Sequence, residues 1–526
     1  MDTPLTYSES NGRGQSWYLE GRLNYERTFG NHRVSGLFLY NQSRNYYPGT
    51  YSYIPRGYIG YVGRATYSYR GKYMADVNIG YNGSENFAPG KTRYGLFPAF
   101  SAGWTVSEEK FMQDQNIFNY LKLRASWGRV GNDTGGSRFM YASTVWSGSG
   151  SYSFGAETPS AQPGMAMGTQ SNPAVTWETA DKQNYGIEAK FLTSRLSLTA
   201  DYFREHRTGI LITPNSFPGI TSISWPSMNL GIVNNHGYEA SLGWNDMIGD
   251  LTYYANANVS FARNKIVYMD EVANTYDYMN FTGGSTGRRE LLNGYGIGGN
   301  LYQFERLYQE DDFTLNADGT YTLNPDLPQP AAGVLPGDAM YADLNGDGIV
   351  DSDDRLVTGF GTNPEYTFGL NAGLNWRGFN FSMQWVGATN VNRFFYEYFR
   401  YPFTNSGSRG LLSYFYDDCW TFDNRENAIY PRPTSNPERV NWNYGNPSTI
   451  WLKDSSYLRL KNLTLGYTMS GATLKKVGIG SLQVTLSGYN LITFSALKYI
   501  DPESVPNNSG AYPLVKLYNL GVNINF

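Results

Sequence analysis

Apolar and polar residues alternate with a period of two along much of the chain. Trp17, Leu19, Gly21, Leu23 and Tyr25 share one face of an extended segment, while Glu20, Arg22, Asn24 and Glu26 take the other. The pattern returns at Ile59, Tyr61, Gly63, Ala65, Tyr67 and Tyr69, and at Leu251, Tyr253, Ala255, Ala257, Val259 and Phe261. Similar runs lie near residues 73–84, 97–106, 121–128, 183–192, 196–205, 237–245, 366–376 and 379–386. Period two puts successive side chains on opposite faces of a strand. Segments of about ten residues are long enough to cross a bilayer at a tilt. No run approaches the ~18 uninterrupted apolar residues of a membrane-spanning helix.

Connection lengths sharpen this picture. Short links at 30–31, 70–72, 193–195, 247–250 and 377–378 alternate with long ones at about 131–181, 207–236, 265–299 and 390–456. Transmembrane β-barrels have this asymmetry, with short periplasmic turns and long extracellular loops. The scheme predicts an all-β, antiparallel transmembrane barrel in which the strand at 17–27 runs toward the periplasm. The last strand, at 513–526, runs the same way. About 17 strands follow, an odd number where a closed bacterial barrel normally has an even one. One upward strand is required between residues 309 and 364, and at least one more before residue 17. A large sandwich, propeller or adhesin also has many short strands, but requires no alternation of tight turns with loops of tens of residues.

Composition agrees. The 526 residues include 45 Tyr, 28 Phe and 12 Trp, yet the mean hydropathy is negative. Strands with one lipid face and one wet face are polar on average, and aromatic rings gather at the headgroup boundaries. Abundant Gly (59) suits many turns. A net charge of -4 offers no electrostatic case for nucleic acid. The one cysteine, Cys419, excludes an internal disulfide framework. His32, His206 and His236 are too scattered for a metal or catalytic cluster. No nucleophile–base pair, phosphate loop or catalytic carboxylate pair stands out, so an enzyme is not expected. The first residues lack the charged and apolar regions of a signal peptide, which leads to the expectation that an N-terminal part precedes them.

The final residues place Tyr518, Leu520, Val522, Ile524 and Phe526 on one face. An amphipathic last strand ending in an aromatic resembles the signal read by the outer-membrane insertion machinery. An ordinary edge strand is the plainer reading, although exposed apolar edges invite aggregation.

Several ordered motifs then carry a family resemblance. They are Asn172-Pro173-Ala174-Val175-Thr176-Trp177-Glu178 with Asn184-Tyr185-Gly186-Ile187-Glu188, and Asn235-His236-Gly237-Tyr238-Glu239. Further on come Asp343-Leu344-Asn345-Gly346-Asp347-Gly348 with Asn363-Pro364-Glu365-Tyr366, the stretch from Leu458 to Tyr467, and Gly488-Tyr489-Asn490-Leu491. Together they resemble the SusC/RagA family of TonB-linked outer-membrane proteins from Bacteroidetes. The resemblance implies a barrel of about 22 strands with a plugged lumen. Residues 1–526 would then be the C-terminal portion of that barrel, with the plug, the N-terminal domain, the TonB box and the signal peptide outside the chain. It also implies the outer membrane as location, TonB acting through the N-terminal region, and a SusD-like surface lipoprotein as partner. The expected function is TonB-energised uptake of glycans or oligopeptides. A passive or scaffolding barrel, or a non-functional fragment, is the alternative.

Residues 343–354 fit a second pattern. Asp343, Asn345, Asp347, Gly348, Asp351 and Asp354 stand at positions 1, 3, 5, 6, 9 and 12 of an EF-hand-type calcium loop, with Ile349 offering its carbonyl. Position 12 is Asp rather than Glu, and its shorter reach weakens or alters coordination. An Asp/Asn/Gly-rich turn without an ion is the bland reading. Trp146, Trp225, Trp420, Trp442 and Trp451 lie in long loops; such rings stack on sugars, but more often pack loops together. The 394–399 aromatic cluster fits a strand extension, a girdle or a partner surface equally well, and no residue marks a particular substrate.

Overall fold

The computed structural model describes residues 8–504 and 514–526, apart from 10–11, 47–53, 143–145, 156–159, 218–219, 221–223, 295–299, 396–398, 404–411, 472–473, 475 and 477. Among the described residues, fifteen long strands form one sheet, each hydrogen-bonded to the next in sequence. They are β1 Gln15–Phe29, β2 His32–Tyr46, β3 Arg56–Tyr69, β4 Tyr73–Ser84, β5 Tyr94–Thr105 and β6 Phe118–Asn132. Then come β7 Glu178–Phe191, β8 Leu196–Ile212, β9 Met228–Ile248, β10 Leu251–Tyr268 and β11 Tyr366–Trp376. The last four are β12 Phe379–Thr389, β13 Tyr457–Met469, β14 Ser481–Ser495 and β15 Leu517–Asn525. Among the described residues no helix is long and apolar enough to cross a membrane. That statement concerns helices alone.

Fifteen strands stand close to the about 17 that alternation predicts; the difference lies in one stretch. The upward strand expected between residues 309 and 364 is absent. Residues 301–356 form only strands of two to four residues, paired among themselves. Strand β10 pairs directly with β11 in antiparallel register, Leu251 opposite Trp376 and Phe261 opposite Tyr366. The chain therefore leaves the sheet after Tyr268 and returns at Tyr366 from the same end. The expected strand is required only to keep up and down directions alternating, and the strands at 301–307 and 313–323 are too short to span lipid.

The chain divides into two compact units, 1–189 with 201–235 and 267–272, and 190–200 with 236–266 and 273–526. In the first, cross-strand register gathers Leu23, Phe38, Tyr61, Ile79, Tyr81, Leu96, Phe100 and Trp127 on one face of β1–β6. The opposite face carries Ser35, Thr66, Asp76, Ser101 and Ser126 in one row. In the second, Leu374, Phe381, Leu465, Leu486 and Leu520 stand side by side. Behind them Asn256, Asn371, Gln384 and Asn462 form an amide row, with Asn462 Nδ2 donating to Gln384 Oε1 at 2.6 Å. A register slip by one residue would exchange the faces, so the pattern pins the pairing.

Aromatic rings mark both ends of the apolar faces. Near the short turns, the His32 and Tyr69 rings lie 4.9 Å apart and Phe379 and Tyr467 4.3 Å apart. Toward the loop ends, Tyr40 meets Tyr61 at 5.2 Å and Phe261 meets Tyr366 at 4.5 Å. Tyr61 and Tyr69 are eight residues apart on β3, and Tyr366 and Trp376 ten apart on β11. At about 3.3 Å per residue and about 40° of tilt, that separates the two belts by about 20–25 Å, the height of a lipid-facing band. The turns are tight by construction. Arg377 and Gly378 both adopt positive φ, 44° and 90°, as a two-residue hairpin that follows strand twist requires.

Candidate functional site

Two features could carry function: the polar face of the sheet and the loops at its long-loop end. On the polar face of the first unit, opposite charges are paired. Arg64 Nε lies 3.0 Å from Asp76 Oδ2. Arg124 reaches Asp201 at 2.6 Å and Glu188 at 3.2 Å. Lys182 meets Glu205 at 3.3 Å, and Arg207 joins Glu178 and Glu205 at 3.0 and 2.8 Å. A wall of self-paired charges stays hydrated yet presents little net charge to a passing solute. The amide row of the second unit does the same without charges.

The motif of residues 172–178 turns out to be a lock at the loop end of β7. Trp177 donates its indole N–H to Arg93 O at 3.1 Å and packs edge-on against Phe97 at 5.2 Å. Thr176 N donates to Asn229 Oδ1, and Asn229 Nδ2 returns a bond to Thr176 O at 2.8 Å. Val175 is fully buried beside Phe87 and Trp177.

In the second unit, the described residues of 273–365 and 390–456 fold together into a packed crown. Trp451, Tyr430, Phe415, Tyr444 and Phe394 form one buried cluster; Trp442, Tyr302, Tyr341 and Val350 form another. Asn392–Phe394 pairs with Leu452–Asp454, which answers the question of the 394–399 cluster: Phe394 and Phe395 are core residues, and 396–398 lie outside the described residues. The loop tryptophans divide similarly. Trp420, Trp442 and Trp451 are buried packing residues. Trp225 stacks on Phe217 at 4.2 Å, and the side chain of Trp146 lies outside the described residues.

One polar pair ties the two loops together, and no spacing signalled it because its members are 105 residues apart. Asn443 Nδ2 donates to Asp338 Oδ1 at 2.7 Å, and Asn443 Oδ1 accepts from Ala339 N at 2.9 Å. Both side chains are fully buried. Burial pushes the Asp338 carboxyl up to about 6. It lowers the Lys453 ammonium to about 8, which lies 4.6 Å over the Tyr430 ring. Beside them Gly337 holds φ 89°, where a Cβ would overlap the Trp420 ring.

The calcium-type loop lies within the same crown, on the long-loop side. Its acids take up backbone amides. Asp343 accepts from Gly346 and Gly348 at 2.7 and 2.8 Å, and Asn345 Oδ1 from Asp347 N at 2.9 Å. Asp347 Oδ1 accepts from Ile349 N at 2.8 Å, and Asp351 from Asp353 N at 2.8 Å. Asp354 is fully buried and accepts from Leu344 and Asp351 at 2.7 and 2.9 Å. Among the described residues no three His, Cys, Asp or Glu side chains are grouped as an ion would need. Asp354 Oδ1 accepts also from Asn345 N at 3.3 Å; each of the other oxygens keeps a second lone pair. The residues of the terminal stripe, Tyr518, Leu520, Val522, Ile524 and Phe526, are all exposed; the first four lie on β15 and Phe526 follows it.

Comparison with known proteins accords with this geometry. No family model matches the chain. It is similar to TonB-dependent receptor P3 of Formosa agariphila, 27% identical over 96% of this chain and 52% of that one. It is similar also to TonB-dependent receptor SusC of Bacteroides thetaiotaomicron, at 25% over 89% of this chain and 44% of that one. The chain spans about half the length of the curated relatives it matches. Among solved structures, the RagAB peptide transporter aligns with a TM-score of 0.70 at 19% identity, over 98% of this chain and 55% of that one. The fold is that of a TonB-dependent barrel, and the SusC/RagA resemblance holds over most of the chain.

Proposed function

We propose that this chain forms the barrel wall of an outer-membrane importer of the SusC/RagA type, energised by TonB and working with a SusD-like surface lipoprotein. One observation carries the reading: a sheet of fifteen consecutive described strands with an apolar face between aromatic belts, a polar face behind it, and the longest connections at one end. That asymmetry suits a wall with a wet interior, short periplasmic turns and an external crown. The similarity to receptors and to a peptide transporter supports import over catalysis. Glycans and oligopeptides are both compatible with a path of paired charges and amides. The exposed apolar stripe of the last residues suits recognition by the insertion machinery.

The test is accumulation of labelled oligopeptides and oligosaccharides by cells expressing the protein, with and without a protonophore. Uptake that collapses about ten-fold or more when the proton gradient is dissipated is the expected result, a barrier change of at least ~1.4 kcal/mol. Uptake that ignores the gradient would mark a passive barrel. Co-purification of a surface lipoprotein checks the partner separately.

We propose further that residues 343–354 take a calcium ion, the spare lone pairs of Asp343, Asn345, Asp347, Asp351 and Asp354 Oδ2 turning inward and the Ile349 carbonyl completing the set. The spacing and the inward bend at Gly346 and Gly348 (φ 76° and 83°) support it. Calcium is expected to slow proteolysis within 269–365 several-fold, and Asp347→Ala to remove that protection without unfolding the barrel. Equal cleavage of both proteins with and without calcium would dispose of the ion.

A further inference from the structure

The lipid-side face of the first unit is not apolar throughout. Ion pairs on β7 and β8 place Lys182, Glu188, Asp201, Glu205 and Arg207 on the polar face. Strand alternation then puts Asp181, Gln183, Tyr202, Arg204 and His206 on the other, where Phe100 stacks against Trp127 at 5.9 Å. Tyr202, Arg204 and His206 are exposed while their neighbours in sequence are half-buried. Trp127, Asp181, Gln183, Arg204 and His206 border one shallow cavity of about 340 Å³.

Its donors outnumber its acceptors. Both oxygens of Asp181 are taken by Arg129, at 2.8 and 2.9 Å. His206 Nδ1 donates to Asn234 Oδ1 at 2.6 Å, so the neutral ring has no second N–H to offer. Arg204 has no hydrogen-bond, ion-pair or ring partner among the described residues. Arg129 retains unused guanidinium N–H groups. The height of the cavity is also defined. Gln183 and Arg204 each stand nine residues from the short 192–195 turn, as Tyr61 and Tyr81 stand nine from theirs. The cavity is therefore level with the outer aromatic belt, where headgroups and not acyl chains meet the protein.

We propose that this cavity binds a phosphate on a lipid headgroup of the outer leaflet, with Arg204 as the principal cation and Gln183 and Arg129 as further donors. An unpaired guanidinium facing hydrocarbon is costly, whereas one at headgroup level finds phosphate oxygens in the fork geometry it matches. The neighbouring apolar face seats the acyl chains of the same lipid, so site and membrane surface are continuous. The inference rests on the outer-membrane reading above.

The experiment follows thermal unfolding of the detergent-purified protein titrated with bisphosphorylated lipid A, dephosphorylated lipid A, or inorganic phosphate. Bisphosphorylated lipid A is expected to bind about ten-fold more tightly than the dephosphorylated form. Arg204→Gln, at an exposed position, should erase that difference in a protein that otherwise unfolds as the parent does. Equal binding of the two lipids, or full binding by Arg204→Gln, would overturn the site. Inorganic phosphate matching the lipid would show a free-anion site and overturn the lipid assignment. Because the readout is lipid affinity, failure here leaves uptake unaffected, whereas a protein that binds no lipid on any face would undo the membrane reading itself.

Discussion

Trp451→Ala is expected to open the crown while leaving the strands paired. Trp451 is fully buried. Its ring lies 5.5 Å from Tyr430 and 5.8 Å from Tyr444, and its indole N–H donates to Asn443 O at 3.1 Å. Removing it leaves a large cavity and takes the partner from a buried carbonyl. Such a change costs about 3–5 kcal/mol, or about a hundred- to several-thousand-fold in a local opening equilibrium. Asn443 is also the residue that holds Asp338, so the loss spreads to the other loop. Hydrogen exchange of peptides from 300–356 and 413–454 should accelerate by that factor. Exchange in β11–β14 should not change, because their ladders do not use Trp451. Acceleration throughout would mean that crown and strands unfold as one unit, and the crown could not be treated as a separate element.

Leu486→Arg has the second large effect. Leu486 stands between Leu465 and Leu520 on the apolar face and is half exposed. Five residues above the start of β14, it lies near the middle of the band between the aromatic belts. A cation on the lipid side at mid-membrane costs about 2–4 kcal/mol. Gln483 lies on the same strand but on the opposite face, facing Thr468 and Asn523. Gln483→Arg should therefore be tolerated. Outer-membrane abundance and heat-modifiable gel mobility of the two variants provide the check. Equal behaviour would mean that the face carrying Leu486 does not meet lipid.

Much of the wall was legible before any coordinates. Boundaries at 73–84 and 366–376 coincide with the observed strands, and others fall short mainly at loop ends. There β8 and β9 run on past the regular alternation, through Gly209 and Gly231. The extra strand expected between 309 and 364 came from applying one rule too widely. The alternation of up and down directions was carried through a stretch that never joins the sheet, and only the direct β10–β11 pairing shows this. The spacing marks 343–354 as a calcium-type loop; the end of the sheet at which it stands required the β10–β11 pairing.

The sequence by itself determined the faces of the strands, the tight turns and the end from which long loops depart. Each of these follows from interactions between residues near in sequence: period-two burial, positive φ at a turn, chain length between strands. Tertiary structure alone decided which loop residues became core. The Asp338–Asn443 pair, the Trp451 stack and the unpaired Arg204 beside Arg129 and Asp181 join residues tens to a hundred positions apart. Their partners are chosen by packing and cross-strand register, and no local pattern records a neighbour that arrives from another strand or loop.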